Sequence, residues 1–177
     1  MAMQTLGAVS IVAAMTVSSS AATPDWKEAL ERSFETTIYR TSETAVLDGN
    51  RVTSEGTALV VKKTGILANP ARYLGSVNTK IRNGAVIQPG GVSALFSSRD
   101  IAQFKVGDVV YLKEVQVRDD VIVLEILSRE IVPILERRST AQMRYKGELE
   151  FHFPKGYLKS ASLEDLRRTF DEFLEPV

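Results

Sequence analysis

The stretch from Met143 to Phe153 limits the possible folds more than any other part of the chain. Met143, Tyr145, Leu149, Phe151 and Phe153 fall on one parity, and Arg144, Lys146, Glu148, Glu150 and His152 on the other. Successive side chains of a strand point to opposite faces, so this pattern predicts a strand with one buried and one wet face. Such a strand needs neighbours, and the sequence supplies them. From Asp48 to Phe153 the period stays near two and turn residues recur. Asp48-Gly49 and Asn83-Gly84 are hairpin dipeptides, the second between Val77–Ile81 and Ala85–Ile87. Thr57–Lys62 reads as a central strand, while Asn69-Pro70 and Pro89-Gly90-Gly91 mark loops. A short helix or irregular loop is expected around Ser93–Phe96.

The clearest hairpin runs out along Val109–Val117, turns at Arg118-Asp119-Asp120 and returns along Val121–Leu127. In the return strand Ile122, Leu124 and Ile126 share a face. In the outgoing strand the apolar parity switches near Lys113, which predicts a β-bulge and a bent sheet.

Helices are expected at both ends of this β region. Thr23 and Pro24 open the first, over residues 24–39, with Thr23 as cap and Asp25 and Glu28 at the positive end of its dipole. Trp26, Leu30, Phe34 and Ile38 form its apolar stripe. Ser162 and Asp165 suggest a capping box for the second, over residues 162–174, whose stripe is Leu163, Leu166, Phe170, Phe173 and Leu174. Pro176 is expected to stop it. The fold expected is α+β and mainly β: a small, bent antiparallel β-barrel, SH3-like in style, with both helices packed on it.

The first 24 residues carry no charged side chain, and the rest carry all 22 basic and 22 acidic ones. Leu6–Val17 is an apolar run followed by Ser18-Ser19-Ser20-Ala21-Ala22, the layout of a secretory signal peptide cut before Thr23. The other reading is a retained membrane anchor, since a helix over residues 1–22 would reach about 33 Å. In that case Leu6, Ile11, Val12 and Met15 would contact lipid or a partner's transmembrane helices. Residues 1–22 are therefore signal peptide or anchor, and 23–177 a single domain.

Formal net charge is zero, so no overall field favours nucleic acid. There is no cysteine and one histidine, which excludes thiol nucleophiles, Cys-ligated zinc and multi-histidine metal sites. His152 lies on a polar strand face, with no orienting carboxylate identified for it. Asp108, Asp119 and Asp120 gather around one hairpin but lack the ligand spacing and glycine of a calcium loop. Gly90-Gly91 lacks the strand, lysine and helix of a phosphate cradle, and Ser42, Ser54, Ser97 and Ser98 sit in no nucleophile elbow. No catalytic, cofactor-binding or metal-ligating residue is assigned.

Three motifs point beyond this chain: Gly56-Thr-Ala-Leu-Val-Val-Lys-Lys, Phe104-x-Val-Gly-Asp-x-Val-Tyr, and Arg144-Tyr-x-Gly-x-Leu-x-Phe-x-Phe-Pro-Lys-Gly156. Together with a terminal helix they resemble an uncharacterised family of small exported bacterial proteins, frequent in Acidobacteria. The resemblance covers most of residues 23–177 and implies export, a barrel-like middle and terminal helices, but no reaction. The expected function is an exported, non-enzymatic accessory or binding module of the cell envelope, periplasmic or extracellular. Its partner would be another envelope protein, with no nucleic acid and no cofactor, and membrane contact only through residues 1–22. The alternatives are a small subunit of an inner-membrane complex facing the periplasm, and a hydrolase using carboxylates or hydroxyls.

Overall fold

A computed structural model describes residues 25–40, 51–87, 101–136 and 139–177. The chain opens with α1 (Trp26–Ser33), β1 (Ile38–Arg40), β2 (Arg51–Ser54), β3 (Ala58–Val61), β4 (Leu67–Pro70), β5 (Asn78–Arg82) and β6 (Ala85–Ile87). It continues with β7 (Ala102–Gln103), β8 (Val109–Arg118), β9 (Val121–Ser128), β10 (Val132–Glu136), β11 (Ser139–Met143) and β12 (Tyr145–His152). A short 3-10 turn (Tyr157–Lys159), α2 (Leu163–Asp171) and β13 (Leu174–Pro176) close it. The architecture is mainly β, a curled half-barrel sheet with two helices.

The sheet runs β13-β3-β8-β9-β12-β4-β7, and β5, which also pairs with β12, carries β6. β1–β2 and β10–β11 are separate antiparallel ribbons. On β12 the expected apolar face is the buried one: Leu149 and Phe151 join Ile122, Leu124 and Ile126 of β9 in the core. Trp26, Leu30 and Phe34 from the α1 end, and Leu166, Phe170 and Phe173 from the α2 end, fill the same cluster. The helices therefore lie on the concave side of the sheet. Phe151 meets Phe170 and Phe173 edge-on, with ring centroids 4.8 and 5.5 Å apart.

The curl has a visible cause. Register shifts between Leu112 and Glu114, so Lys113 is the extra residue of a bulge. Val110 and Leu112 before it, and Val115 after it, all reach the core. The parity switch in the sequence is this bulge. Asn83 and Gly84 have positive φ (51° and 70°) and close the β5–β6 hairpin, and Asp119 (φ 43°) turns β8 into β9.

Two motif glycines are there for close approach. A Cβ on Gly147 would sit 2.3 Å from the Leu67 carbonyl oxygen, where β4 crosses β12. One on Gly56 would sit 2.2 Å from the Glu35 carbonyl oxygen. Neither backbone contact can yield as a flexible side chain could.

Several expectations need correction. Asp25, not Thr23, caps α1, its side chain accepting from the Glu28 amide at 3.1 Å. The helix stops at Ser33, short of residue 39, and Ile38 is exposed on β1 rather than in the apolar stripe. Thr37 donates its amide to the Leu112 carbonyl (2.7 Å) and Glu35 accepts from the Thr57 amide (2.7 Å), so these backbone groups serve the β region instead of a helix. The capping box at Ser162 and Asp165 is present, but α2 ends at Asp171. Leu174–Pro176 pairs with β3 as an edge strand, where a proline without an N–H is tolerated.

Nor is the sheet wholly antiparallel, because β5 lies parallel to β12. Asn69 holds the reversal that produces this: its Oδ1 accepts from Val77 N (3.2 Å) and its Nδ2 donates to the Gly75 carbonyl (3.3 Å). β4 and β5 then occupy one edge of β12 end to end, in opposite directions. Asn69-Pro70, expected in a loop, is thus the end of a strand. Asp48-Gly49, Ser93–Phe96 and the anchor residues Leu6, Ile11, Val12 and Met15 lie outside the described residues. Among the described residues no helix is long and apolar enough to cross a membrane.

Replacing Leu149 or Phe151 by Ala should destabilise the domain by roughly 2–5 kcal/mol in urea melts. Gly147→Ala should also be destabilising, although it adds only a methyl group. Wild-type midpoints for all three would show that the buried face is assigned wrongly.

Candidate functional site

The convex face of the sheet carries most of the chain's organised polar chemistry. Strand parity aims Lys146, Glu148, Glu150 and His152 of β12 outward. Register places Glu125 of β9 opposite Glu148, and Glu114 of β8 opposite Glu125. Three carboxylates in one cross-strand row repel one another unless cations intervene. The bulge provides one, since Lys113 Nζ lies 2.7 Å from Glu125 Oε2. Ser76 Oγ, from the β4–β5 loop, donates to Glu125 Oε1 at 2.8 Å. The deformation that curls the sheet thus also delivers the counter-charge.

This face is much drier than the sequence suggests. Glu125 is 6% exposed and Lys146 8%. Burial pulls the Lys146 ammonium below the ordinary lysine range, and the nearby Lys113 charge adds to this against Glu125 and Glu148. Burial likewise pushes the Glu148 carboxyl up, reinforced by Glu125 and Glu150 and opposed by Arg118 and Lys146. Tyr111, opposite Leu127 on the same face, has its hydroxyl raised by burial and by a hydrogen bond with Glu55. The wet face expected for β12 is therefore a packed polar lattice.

At the foot of the lattice Glu150 has two partners. Its Oε1 accepts from Asn78 Nδ2 (2.6 Å), and its Oε2 lies 3.3 Å from His152 Nε2. This is the orienting carboxylate that the sequence left unidentified. Its signal was present, because residues two apart on a strand share a face. Arg82 of β5 stands opposite His152 in the parallel register. A groove of about 360 Å³ opens there, lined by Arg82, Asn83, Asp120, Val121, His152, Phe153 and Pro154. A smaller one, about 150 Å³, reaches from His152 toward Tyr157 and Glu172.

Two other clefts hold less directed chemistry. The larger, about 680 Å³, sets Asp25, Asp119 and Asp120 among Lys27, Lys155 and Lys159, so its charges balance. Its Trp26 is buried and donates Nε1–H to the Leu158 carbonyl (2.7 Å), which leaves the indole in the core rather than as a stacking platform. The other, about 270 Å³, has Phe104 and Tyr145 in its lining beside short polar groups.

Asp108 and the Asp119–Asp120 pair, expected around one hairpin, lie at opposite ends of β8, roughly 30 Å apart along a ten-residue strand. Asp108 Oδ2 accepts from the Lys105 amide (2.7 Å) and Asp120 Oδ1 from the Gly156 amide (2.7 Å). Both caps are local turn chemistry. Among the described residues no group of three or more His, Asp or Glu is placed to hold a metal ion. Ser54 ends β2, while Gly90-Gly91 and Ser42, Ser97 and Ser98 lie outside the described residues. No family model, curated protein or solved structure matches the chain.

The raised Glu148 carboxyl has a stability consequence with a definite sign. The folded state holds that proton more tightly than the unfolded state, so stability is full at low pH and falls as pH rises through the raised value. Glu148→Gln should therefore be more stable than wild type at pH 7, with the gain shrinking on acidification toward pH 4. A variant less stable than wild type at pH 7 would show that the ionised carboxylate is stabilised by its neighbours.

Proposed function

We propose that this chain is an exported, non-enzymatic binding module of the cell envelope that meets a partner protein on the convex face of its sheet. The observation carrying this reading is the polar lattice from Lys113 and Glu125 to Glu150 and His152. Its groups are largely desolvated and engaged with one another. Such a surface is pre-organised for recognition, since little side-chain freedom is left to lose on binding. The uncharged N-terminal run ending in small residues supports export. The short strands, and the Val-Gly-Asp turn into a long bent strand, support an SH3-like style of barrel. The three motifs support membership of the small exported bacterial family they resemble.

The Glu150–His152 pair is what a hydrolase would use as its base. The hydroxyl-bearing residues lining the adjoining grooves are Tyr157 and Thr169, and the Thr169 hydroxyl donates to the Asp165 carbonyl (2.9 Å). The Tyr157 ring is stacked on Phe153, with centroids 5.3 Å apart. No activated nucleophile faces the histidine among the described residues, and the pair serves binding better. The specific alternative is a retained N-terminal segment, which would make the domain a subunit held at the outer face of the inner membrane.

Intact mass and cell fraction of the native protein test this reading. The expected result is a mass beginning at Thr23, in the soluble exported fraction. A full-length mass that stays with membranes through a carbonate wash would overturn the free module in favour of the anchored subunit.

A further inference from the structure

The convex lattice satisfies itself down to the row that contains His152, where one positive charge is left over. Higher up, Glu125 holds Lys113 and Ser76, and Glu150 holds Asn78 and His152. Arg82, opposite His152, is exposed, and among the described residues no hydrogen bond or ion pair engages its guanidinium. The acidic groups nearby are already engaged: Glu150 uses both oxygens, and Asp120 accepts the Gly156 amide through Oδ1. Because a carboxylate only accepts, the His152–Glu150 contact places the hydrogen on Nε2 and leaves Nδ1 for another partner. Arg82 and His152 both line the groove of about 360 Å³, whose remaining wall includes Val121, Phe153 and Pro154.

We propose that this groove is a subsite for a carboxylate of the partner protein, presented as an acidic side chain flanked by apolar residues. The proposal rests on the reading of the chain as a protein-binding module and adds the chemistry of what it binds. Arg82 supplies a planar fork of donors suited to bidentate pairing with a carboxylate. His152 adds a second nitrogen on the adjacent strand, roughly one strand spacing of 4.8 Å away. The apolar wall favours a peptide over a bare ion, since Val121 and the Phe153-Pro154 step offer surface for neighbouring side chains to cover. An acid held here also completes the charge pattern of the face, whose upper part already pairs each engaged carboxylate with a donor.

The test is a two-dimensional amide NMR titration of the labelled native protein with three probes: acetyl-Val-Glu-Val-amide, acetyl-Val-Gln-Val-amide and inorganic phosphate. The Glu peptide should shift the amides of Arg82, Asn83, Val121 and His152, with the Gln peptide and phosphate binding at least about tenfold more weakly. Arg82→Gln should weaken the Glu peptide about tenfold with an unchanged thermal melt, because Arg82 is exposed and engages nothing it would leave behind. His152→Ala should weaken it as well, and Lys159→Gln, outside the groove, should not. Equal binding of the Glu and Gln peptides, or of phosphate and the Glu peptide, would overturn the subsite, as would full affinity in Arg82→Gln. Mass and cell fraction do not depend on Arg82, so failure here leaves the exported-module reading standing, and the reverse also holds.

Discussion

The packing of Phe151 against Phe170 and Phe173 is the contact on which the other elements depend. It lies on the one strand paired along both edges, with β9 on one side and β4 followed by β5 on the other. It is also where the C-terminal segment folds back onto the sheet. Once Phe173 is seated, Lys62 donates its amide to the Phe173 carbonyl (2.8 Å) and Leu174–Pro176 completes the β3 edge. The first and last elements of the domain are then held by one buried cluster. Aromatic edge-on pairs add stability beyond the area they bury, on the order of 1 kcal/mol each.

What happens on the concave side fixes what the convex side can offer. Strand alternation means that seating Leu149 and Phe151 inward forces Glu148, Glu150 and His152 outward. The bulge at Lys113, needed to curl β8 around the helices, turns a lysine toward Glu125. Ser76 and Asn78 enter because the reversal held by Asn69 lays β5 beside β12. The polar lattice is therefore a by-product of core geometry, and its only unengaged cation among those discussed, Arg82, marks the place where something from outside can be added.

Local features were legible in the sequence because short-range chemistry determines them. The parity of Met143–Phe153, the bulge at Lys113, the Asn83-Gly84 hairpin and the Ser162–Asp165 box each depend on residues within a few positions of one another. Long-range features were not. Ile38 continues the helical spacing of Trp26, Leu30 and Phe34, yet Thr37 and Thr57 divert that backbone to the β region. Leu174 fits the stripe of α2, yet pairing with Val61 takes it into a strand. The parallel pairing of β5 with β12 depends on a side-chain clamp at Asn69 that no periodicity encodes. The same division holds for the site: the shared face of Glu148, Glu150 and His152 could be read, but their burial, and the placement of Arg82 beside His152, come from partners far along the chain.

If β12 is the strand on which the domain is organised, it should also be the last to open. Native-state hydrogen exchange measures this directly, because amides that open only on global unfolding exchange with the full unfolding free energy. The amides of β9 and β12 should be the slowest in the protein. Phe151→Ala should lower their protection by the same free energy that it removes from the urea melt. The separate β10–β11 ribbon should exchange faster and respond less. Protection in β12 no greater than in β10–β11, or unchanged by Phe151→Ala, would contradict the account.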